Sequence, residues 1–256
     1  MTGSVVIVTG ASQGIGRSTA VRLSRDFKSL VLVARNRAKL QETAVAVAAA
    51  NAAPLIIDID LSERSSAKAV VERSLSAFGR IDAIANIAGA VPQIDLFEMS
   101  DEQWDGGMAL KLHGARRLTI EAWPALRDAK GSVVFMSGNS ALFPKAPYAA
   151  VGTINAAIVA LAKAFSDRGL ADGVQVNSLL PGPVMTGRRL SYLEHWASIH
   201  GMTVAEATEK FPRDAGIVRY GEPEEIAELI AFMVSPAARW MTGSALRMDG
   251  GEVKSI

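Results

Sequence analysis

The first residues whose spacing implies chemistry are glycines. Thr9-Gly10-Ala11-Ser12-Gln13-Gly14-Ile15-Gly16 follows a short β-branched run and opens a helical pattern. Gly10 can take a tight turn with positive φ. Gly14 lets the backbone approach a pyrophosphate, and Gly16 lets the helix pack closely on the strand. The unpaired amides at the helix start then hold phosphate oxygens. A glycine triplet alone is a weak signal, but here it lies between a strand and a helix at the N-terminus. The candidate phosphate-binding residues are Gly10, Ser12, Gln13, Gly14, Ile15 and Gly16.

A second group lies where the next strand ends. Readers of NAD place an Asp or Glu there, which bonds the ribose hydroxyls. Here Ala34 is followed by Arg35-Asn36-Arg37. A carboxylate would repel a 2′-phosphate, whereas a guanidinium grips it through two parallel hydrogen bonds. Arginine at a helix N-terminus also opposes the helix dipole, which argues for an anionic partner over simple solvation. Arg35 and Asn36 are therefore candidate contacts to NADP(H), with NAD(H) as the alternative cofactor.

These groups need elements to position them. The strands are read at Val5–Thr9, Leu30–Ala34, Leu55–Ile57, Ala83–Asn86, Val133–Ser137 and Val174–Asn177. None alternates polar with apolar residues, as expected when both faces are covered. Helical patterns lie between them at roughly 15–26, 37–50, 63–78, 101–127 and 149–168. Residues 187–219 break the rhythm, and a helix over Glu222–Ser235 and a strand at Ala245–Met248 follow. The alternation predicts an α/β fold: one Rossmann-type domain over residues 1–256 with a doubly wound parallel sheet and a lid inserted at about 187–219.

Composition sets the outer bounds. The 256 residues are 49% hydrophobic, enough for a full core. A net charge of +1 gives no electrostatic case for nucleic acid or an anionic membrane as partner. The absence of cysteine excludes disulfides, thiolate metal sites and a cysteine nucleophile. The start of the chain reads as a core strand and not as a leader. The apolar stretch Ala44–Ile57, interrupted by Asn51 and Pro54, is too short to span a bilayer. A cytoplasmic protein without a metal site is expected.

Over nearly its whole length the chain resembles the short-chain dehydrogenase/reductases. The glycine spacing carries that resemblance, together with four further motifs. Asp60-Leu61 is similar to the family's adenine-contacting pair, and Asn86-Ile87-Ala88-Gly89 to its Asn-Asn-Ala-Gly turn. Pro181-Gly182-Pro183-Val184-Met185-Thr186 is similar to the segment beside the nicotinamide, and Asp249-Gly250-Gly251 to the family's C-terminal end. The resemblance implies cofactor contacts at Asp60, Leu61, Asn86, Ala88, Gly89, Pro181, Gly182, Val184 and Thr186. Family members with Arg at the place of Arg35 usually use NADP(H), although many carry a basic residue where this chain has Gln13.

The family's Asn-Ser-Tyr-Lys set is missing. In that set a tyrosine moves the substrate proton, and a lysine lowers the phenol pKa from its ordinary value of about 10. Aligned without gaps, the four positions fall on Lys111, Gly138, Val151 and Asn155. Asn and Lys have thus exchanged helices, as in an atypical branch of the family. Tyr148 lies one turn before Val151, and Ser137 and Ser140 flank Gly138. This implies a relocated site acting on a carbonyl/alcohol pair. Tyr148 would be the acid/base, and Lys111 would lower its pKa and bind ribose. Asn155 would complete the relay, and Ser140 or Asn139 would orient the substrate. The alternative is a non-catalytic NADP(H)-binding sensor or inactive subunit. Lys111 could instead snorkel to the surface, and Tyr148 could be a core aromatic. The lid residues Leu190, Tyr192, Leu193, Trp196, Met202 and Phe211 favour an apolar or aromatic small-molecule substrate. The resemblance also implies a homotetramer or homodimer, with Trp240 and Met241 at an interface.

Overall fold

Strands that are apolar on both faces can be buried only between two helical layers. The computed structural model, which describes residues 3–255, shows this arrangement. The strands are β1 (Val5–Thr9), β2 (Ser29–Ala34), β3 (Ala53–Asp58), β4 (Ala83–Asn86), β5 (Ser132–Met136), β6 (Gln175–Pro181) and β7 (Ala245–Met248). They form one parallel sheet in the order β3-β2-β1-β4-β5-β6-β7. β1, β4 and β5 are buried at every position, whereas the edge strands β3 and β7 are partly exposed. Alternate residues of β1 serve opposite layers. Val5 and Ile7 pack with Leu118 and Phe135, and Val6 and Val8 pack with Leu23 and Ile230.

β1 is paired on one side with β2 and on the other with β4. The chain winds outward through β2 and β3, then returns to the far side of β1. This reversal opens a crevice above the C-terminal ends of β1 and β4, where open α/β sheets bind ligands. The helices flanking the sheet are α1 (Gly14–Leu23), α2 (Arg37–Ala49), α3 (Ser66–Phe78), α4 (Asp101–Gly107), α5 (Ala115–Ala129), α6 (Ala149–Asp172) and α9 (Pro223–Met233). The insertion forms two more, α7 (Gly187–Ile199) and α8 (Val204–Ala215). Their facing sides bury Leu193, Ala197, Ala207 and Tyr220 in a small core of their own, joined by Tyr192, Trp196, Met202 and Phe211.

Two expectations change. The span read as one α-helix over 101–127 is interrupted at Met108–Gly114 by a π-helical stretch. A π-turn inserts an extra residue per turn and so rotates the side chains beyond it, a feature often found at functional sites. Periodicity cannot reveal it. The apolar stretch at Ala44–Ile57 divides between α2 and β3. Among the described residues, the segment long and apolar enough to cross a membrane, by length and composition, is instead Ala146–Asp172. Here it packs as α6 against β5 and β6.

Candidate active site and cofactor cleft

The loops after the strand ends converge on one elongated cavity of about 500 Å³. The glycine turn forms part of its wall. Gly10 and Gly14 have φ values of 70° and 51°, a region that other residues rarely adopt. A Cβ on Gly16 would come within 2.1 Å of the Gly10 carbonyl oxygen. Thr43 Oγ1 pins the turn from α2 by donating to the Ala11 carbonyl at 2.9 Å. Gln13 precedes α1 but makes no side-chain cap, and the first turn of α1 holds no acidic residue. The opening amides of α1 are thus free to meet an anion.

At the far end of this cavity stand Arg35, Asn36, Asp60 and Leu61, with no carboxylate contributed by the end of β2. Arg35 is exposed and lies 3.5 Å from the Asp60 carboxylate. Asp60 also accepts from the Ser62 amide and hydroxyl at 2.9 and 2.8 Å, and its pKa is held below the usual carboxylate value. Arg37 is paired with Asp58 at 2.8 Å. Asn36 caps α2, accepting from the Lys39 amide at 3.0 Å. Sequence reading passed over Lys39. Its Nζ donates to Gln13 Oε1 at 2.9 Å, so α2 brings a cation to the place where Gln13 itself offers none. The signal was the helical offset from Asn36, one turn along the face that meets the cleft.

Ile87, Ala88 and Gly89 line the middle of the cavity. Thr9 Oγ1 accepts from the Ile87 and Ala88 amides at 2.8 and 2.9 Å and so ties β1 to this turn. Asn86, expected among the cofactor contacts, is turned into the core. It donates to Thr119 Oγ1 at 3.1 Å and braces the end of β4 without lining the cavity. Val184 likewise lines a separate space of about 300 Å³ with Tyr220 and Ile226. Pro181 and Thr186 line the main cleft, while Gly182 lies against the C-terminal turn, where a Cβ would meet Asp249 at 2.7 Å.

Beyond Pro181 the cleft meets a second cavity of about 390 Å³, beneath α7 and α8. Lys111, from the π-helical stretch, lines both spaces. Its stem lies against Gly89, where a Cβ would come within 3.0 Å of Lys111 Cδ. Its ammonium donates to the Ser137 carbonyl at 3.2 Å and to Asn155 Oδ1. Asn155 Nδ2 donates to Ser140 Oγ at 2.9 Å, and Ser137 Oγ donates to the Asn155 carbonyl at 2.8 Å. Lys111 and Asn155 therefore meet directly. Burial, reinforced by Arg188, pulls the Lys111 pKa down to about 7.

Tyr148 also lines the second cavity, but not in the expected electrostatic role. Lys111 bonds to Ser137 and Asn155, and is not among the groups acting on this phenol. Burial, with Glu252 and Tyr192, pushes the Tyr148 pKa up to about 12. Val151, expected at the place of the family's tyrosine, forms part of the cavity wall and packs with Val91 and Ile154.

The lid contributes two further residues that sequence reading missed. Arg188 donates to the Gly89 and Val91 carbonyls at 3.2 and 2.6 Å, fastening α7 to the loop after β4. Arg189 points its guanidinium at the rings of Tyr192 and Phe211. The available signal was an arginine pair in the first turn of a helix, against the dipole. The C-terminal turn supplies Glu252, whose carboxylate accepts from Asn139 Nδ2 at 2.6 Å. Asp249 shapes that turn by accepting from the Gly251 and Val253 amides. Among the described residues no group of three or more His, Asp or Glu side chains is placed to hold a metal ion.

These features fit a dinucleotide: a glycine cradle at an open helix N-terminus, a basic end, and a polar cluster where the cleft meets a second pocket. Comparison with known proteins agrees. The family model described as enoyl-(acyl carrier protein) reductase matches residues 10–252. The short-chain reductase protein NovJ of Streptomyces niveus is 28% identical over 248 residues, 97% of this chain and 93% of that protein. The short chain dehydrogenase/reductase astE of Aspergillus oryzae is 30% identical, covering 97% of this chain and 94% of its own. The crystal structure of L-sorbose reductase from Gluconobacter frateurii, complexed with NADPH and L-sorbose, matches with a TM-score of 0.94 at 27% identity. It covers 100% of this chain and 98% of that one. The sheet order, the glycine turn and these likenesses together establish that the chain belongs to the short-chain dehydrogenase/reductase family of oxidoreductases.

Proposed function

We propose that this protein is an NADP(H)-dependent oxidoreductase acting on a carbonyl/alcohol pair, in an atypical branch of the family where Lys111 handles the proton. The observation that carries this reading is the place of Lys111 at the junction of the two cavities. Its ammonium has three donors, of which the Ser137 carbonyl and Asn155 take two. The third is left for a group in the cleft.

The glycine turn would hold the pyrophosphate of NADPH and Arg35 and Lys39 would receive its 2′-phosphate; the cofactor would supply a hydride to a carbonyl carbon. Lys111 donates its free N–H to the substrate oxygen, which gains negative charge, and then transfers the proton. In the reverse direction the neutral amine takes that proton back. A group titrating near neutral pH suits both directions. Asn155 is a positioning residue: it holds the ammonium and is itself held by Ser140. Tyr148 remains a neutral phenol over the working range and shapes the pocket.

NADPH is held inside the cell, so the reading places the protein in the cytoplasm. Assembly as a homotetramer or homodimer is part of the reading. Trp240, fully exposed, supports it. Met241 beside it is partly buried and packs against the core.

The test is NADPH consumption with a panel of ketones and aldehydes, run beside NADPH binding by fluorescence. Turnover lost in Lys111→Met and kept in Tyr148→Phe is the expected result. Tight NADPH binding without turnover of any carbonyl would leave the non-catalytic binder in its place.

A further inference from the structure

Taking the carbonyl/alcohol reading as its basis, we propose that the substrate carries a carboxylate and that Arg189 binds it. Arg189 is the third residue of α7 and is only partly exposed. Its guanidinium lies 5.1 Å from the Tyr192 ring centre and 4.9 Å from that of Phe211. Contact with aromatic faces holds a guanidinium plane in place and leaves its N–H edge free. Among the described residues that edge donates no hydrogen bond and forms no ion pair. A partly buried guanidinium without an acceptor is costly unless a ligand supplies one.

The other charges of the cavity are already engaged or lie at its rim. Arg188 spends its N–H groups on two carbonyls. Asp214 is paired with Lys210 at 2.7 Å. Glu252 is held by Asn139, forms no ion pair with Arg189, and adds negative charge to the same space. Lys145 is exposed and sits over Phe143. A carboxylate fits the planar donor fork of Arg189 in two parallel bonds. The cavity walls also include Trp196, Tyr148 and Val151, and a space of about 390 Å³ suits a small aryl or acyl body. The apolar or aromatic substrate expected from the lid is thereby refined: the body is aromatic or apolar, and its head is an anion.

The experiment uses the full chain saturated with NADP⁺ and isothermal calorimetry. The probes are benzoylformate, 3-benzoylpropionate and 4-acetylbenzoate, each beside its neutral methyl ester. At least one acid should bind about tenfold or more tighter than its ester, in the range of a charge-assisted pair. Arg189→Met keeps an apolar stem between the rings and should remove the preference, and Arg189→Lys should restore part of it. Melting temperature and NADP⁺ affinity serve as folding controls. If Arg189→Met does not fold, the loss in Arg189→Lys decides. Equal binding of acid and ester, no binding of any acid, or a preference kept by a folded Arg189→Met overturns the assignment. An acid preference without NADPH consumption supports it and removes the catalytic reading. Turnover of neutral ketones with no acid preference does the reverse.

Discussion

The Lys111 ammonium donates to the amide oxygen of Asn155, 44 residues along the chain and on another helix. The bond makes the two side chains one unit, and it extends to Gly138. A Cβ on Gly138 would stand 2.6 Å from Asn155 Nδ2. The residue at 138 must therefore be glycine for as long as Asn155 keeps its present place. Gly138→Ser should destabilise the protein by about 1–3 kcal/mol through overpacking. Asn155→Ala opens the space, so the double variant should cost less than the two single changes added together. Urea melts of all four proteins read this coupling directly. Additive costs would show that the two residues do not share the space.

Lys111 and Tyr148 separate cleanly by substitution and pH. Lys111→Met should lower kcat by between about 100-fold and about 10,000-fold, the span of a lost general acid. NADPH affinity should fall much less. Tyr148→Phe should change kcat only a few-fold, since a phenol pushed up to about 12 neither gives nor takes a proton in the working range. Carbonyl reduction needs the ammonium, whose pKa lies at about 7. The kcat for reduction should be highest below that value and fall as pH rises through it, while alcohol oxidation should rise. A reduction profile set by an alkaline group and abolished in Tyr148→Phe would return the proton to the tyrosine.

How much of this was legible follows from where each signal resides. The sheet could be read because continuous β-branched runs have few places to go except between two layers. The glycine turn could be read because Gly10, Gly14 and Gly16 are needed by local backbone geometry. The meeting of Lys111 with Asn155 was legible only as an exchange between aligned positions. Its electrostatics were not, because a lysine pKa depends on burial that sequence does not display. The π-helical turn under Lys111 leaves no periodic mark. Lys39, Arg189 and Glu252 were missed for a common reason. Each reaches its cavity from an element whose packing angle is set by distant contacts, such as Asp249 shaping the turn before Glu252.

Cofactor choice gives a third prediction. Arg35 and Lys39 flank the end of the cleft where a 2′-phosphate would lie. Each charge-assisted contact contributes roughly tenfold to a hundredfold in affinity. Arg35→Ala and Lys39→Ala should each weaken NADPH binding by about that factor, with little effect on NADH. Fluorescence titration with both cofactors reads the ratio. Equal losses for the two cofactors would mean that these cations act on the pyrophosphate or only on the fold.

The depressed Lys111 pKa also governs stability, with a sign opposite to that of a salt-bridged lysine. In the unfolded chain this lysine holds its proton up to its ordinary 10.5, but in the folded protein only to about 7. Between those values the unfolded state binds the extra proton, so folding becomes more favourable as pH rises through the window. Below about 7 both states are protonated and the full burial penalty of the ammonium is present. Urea melts at about pH 6 and about pH 9 should therefore show a gain in the native protein that Lys111→Met lacks. Other titrating groups are common to both proteins and cancel in the difference. A pH response identical in the two would show that Lys111 titrates at its ordinary value, and the proton-transfer role would lose its chemical basis.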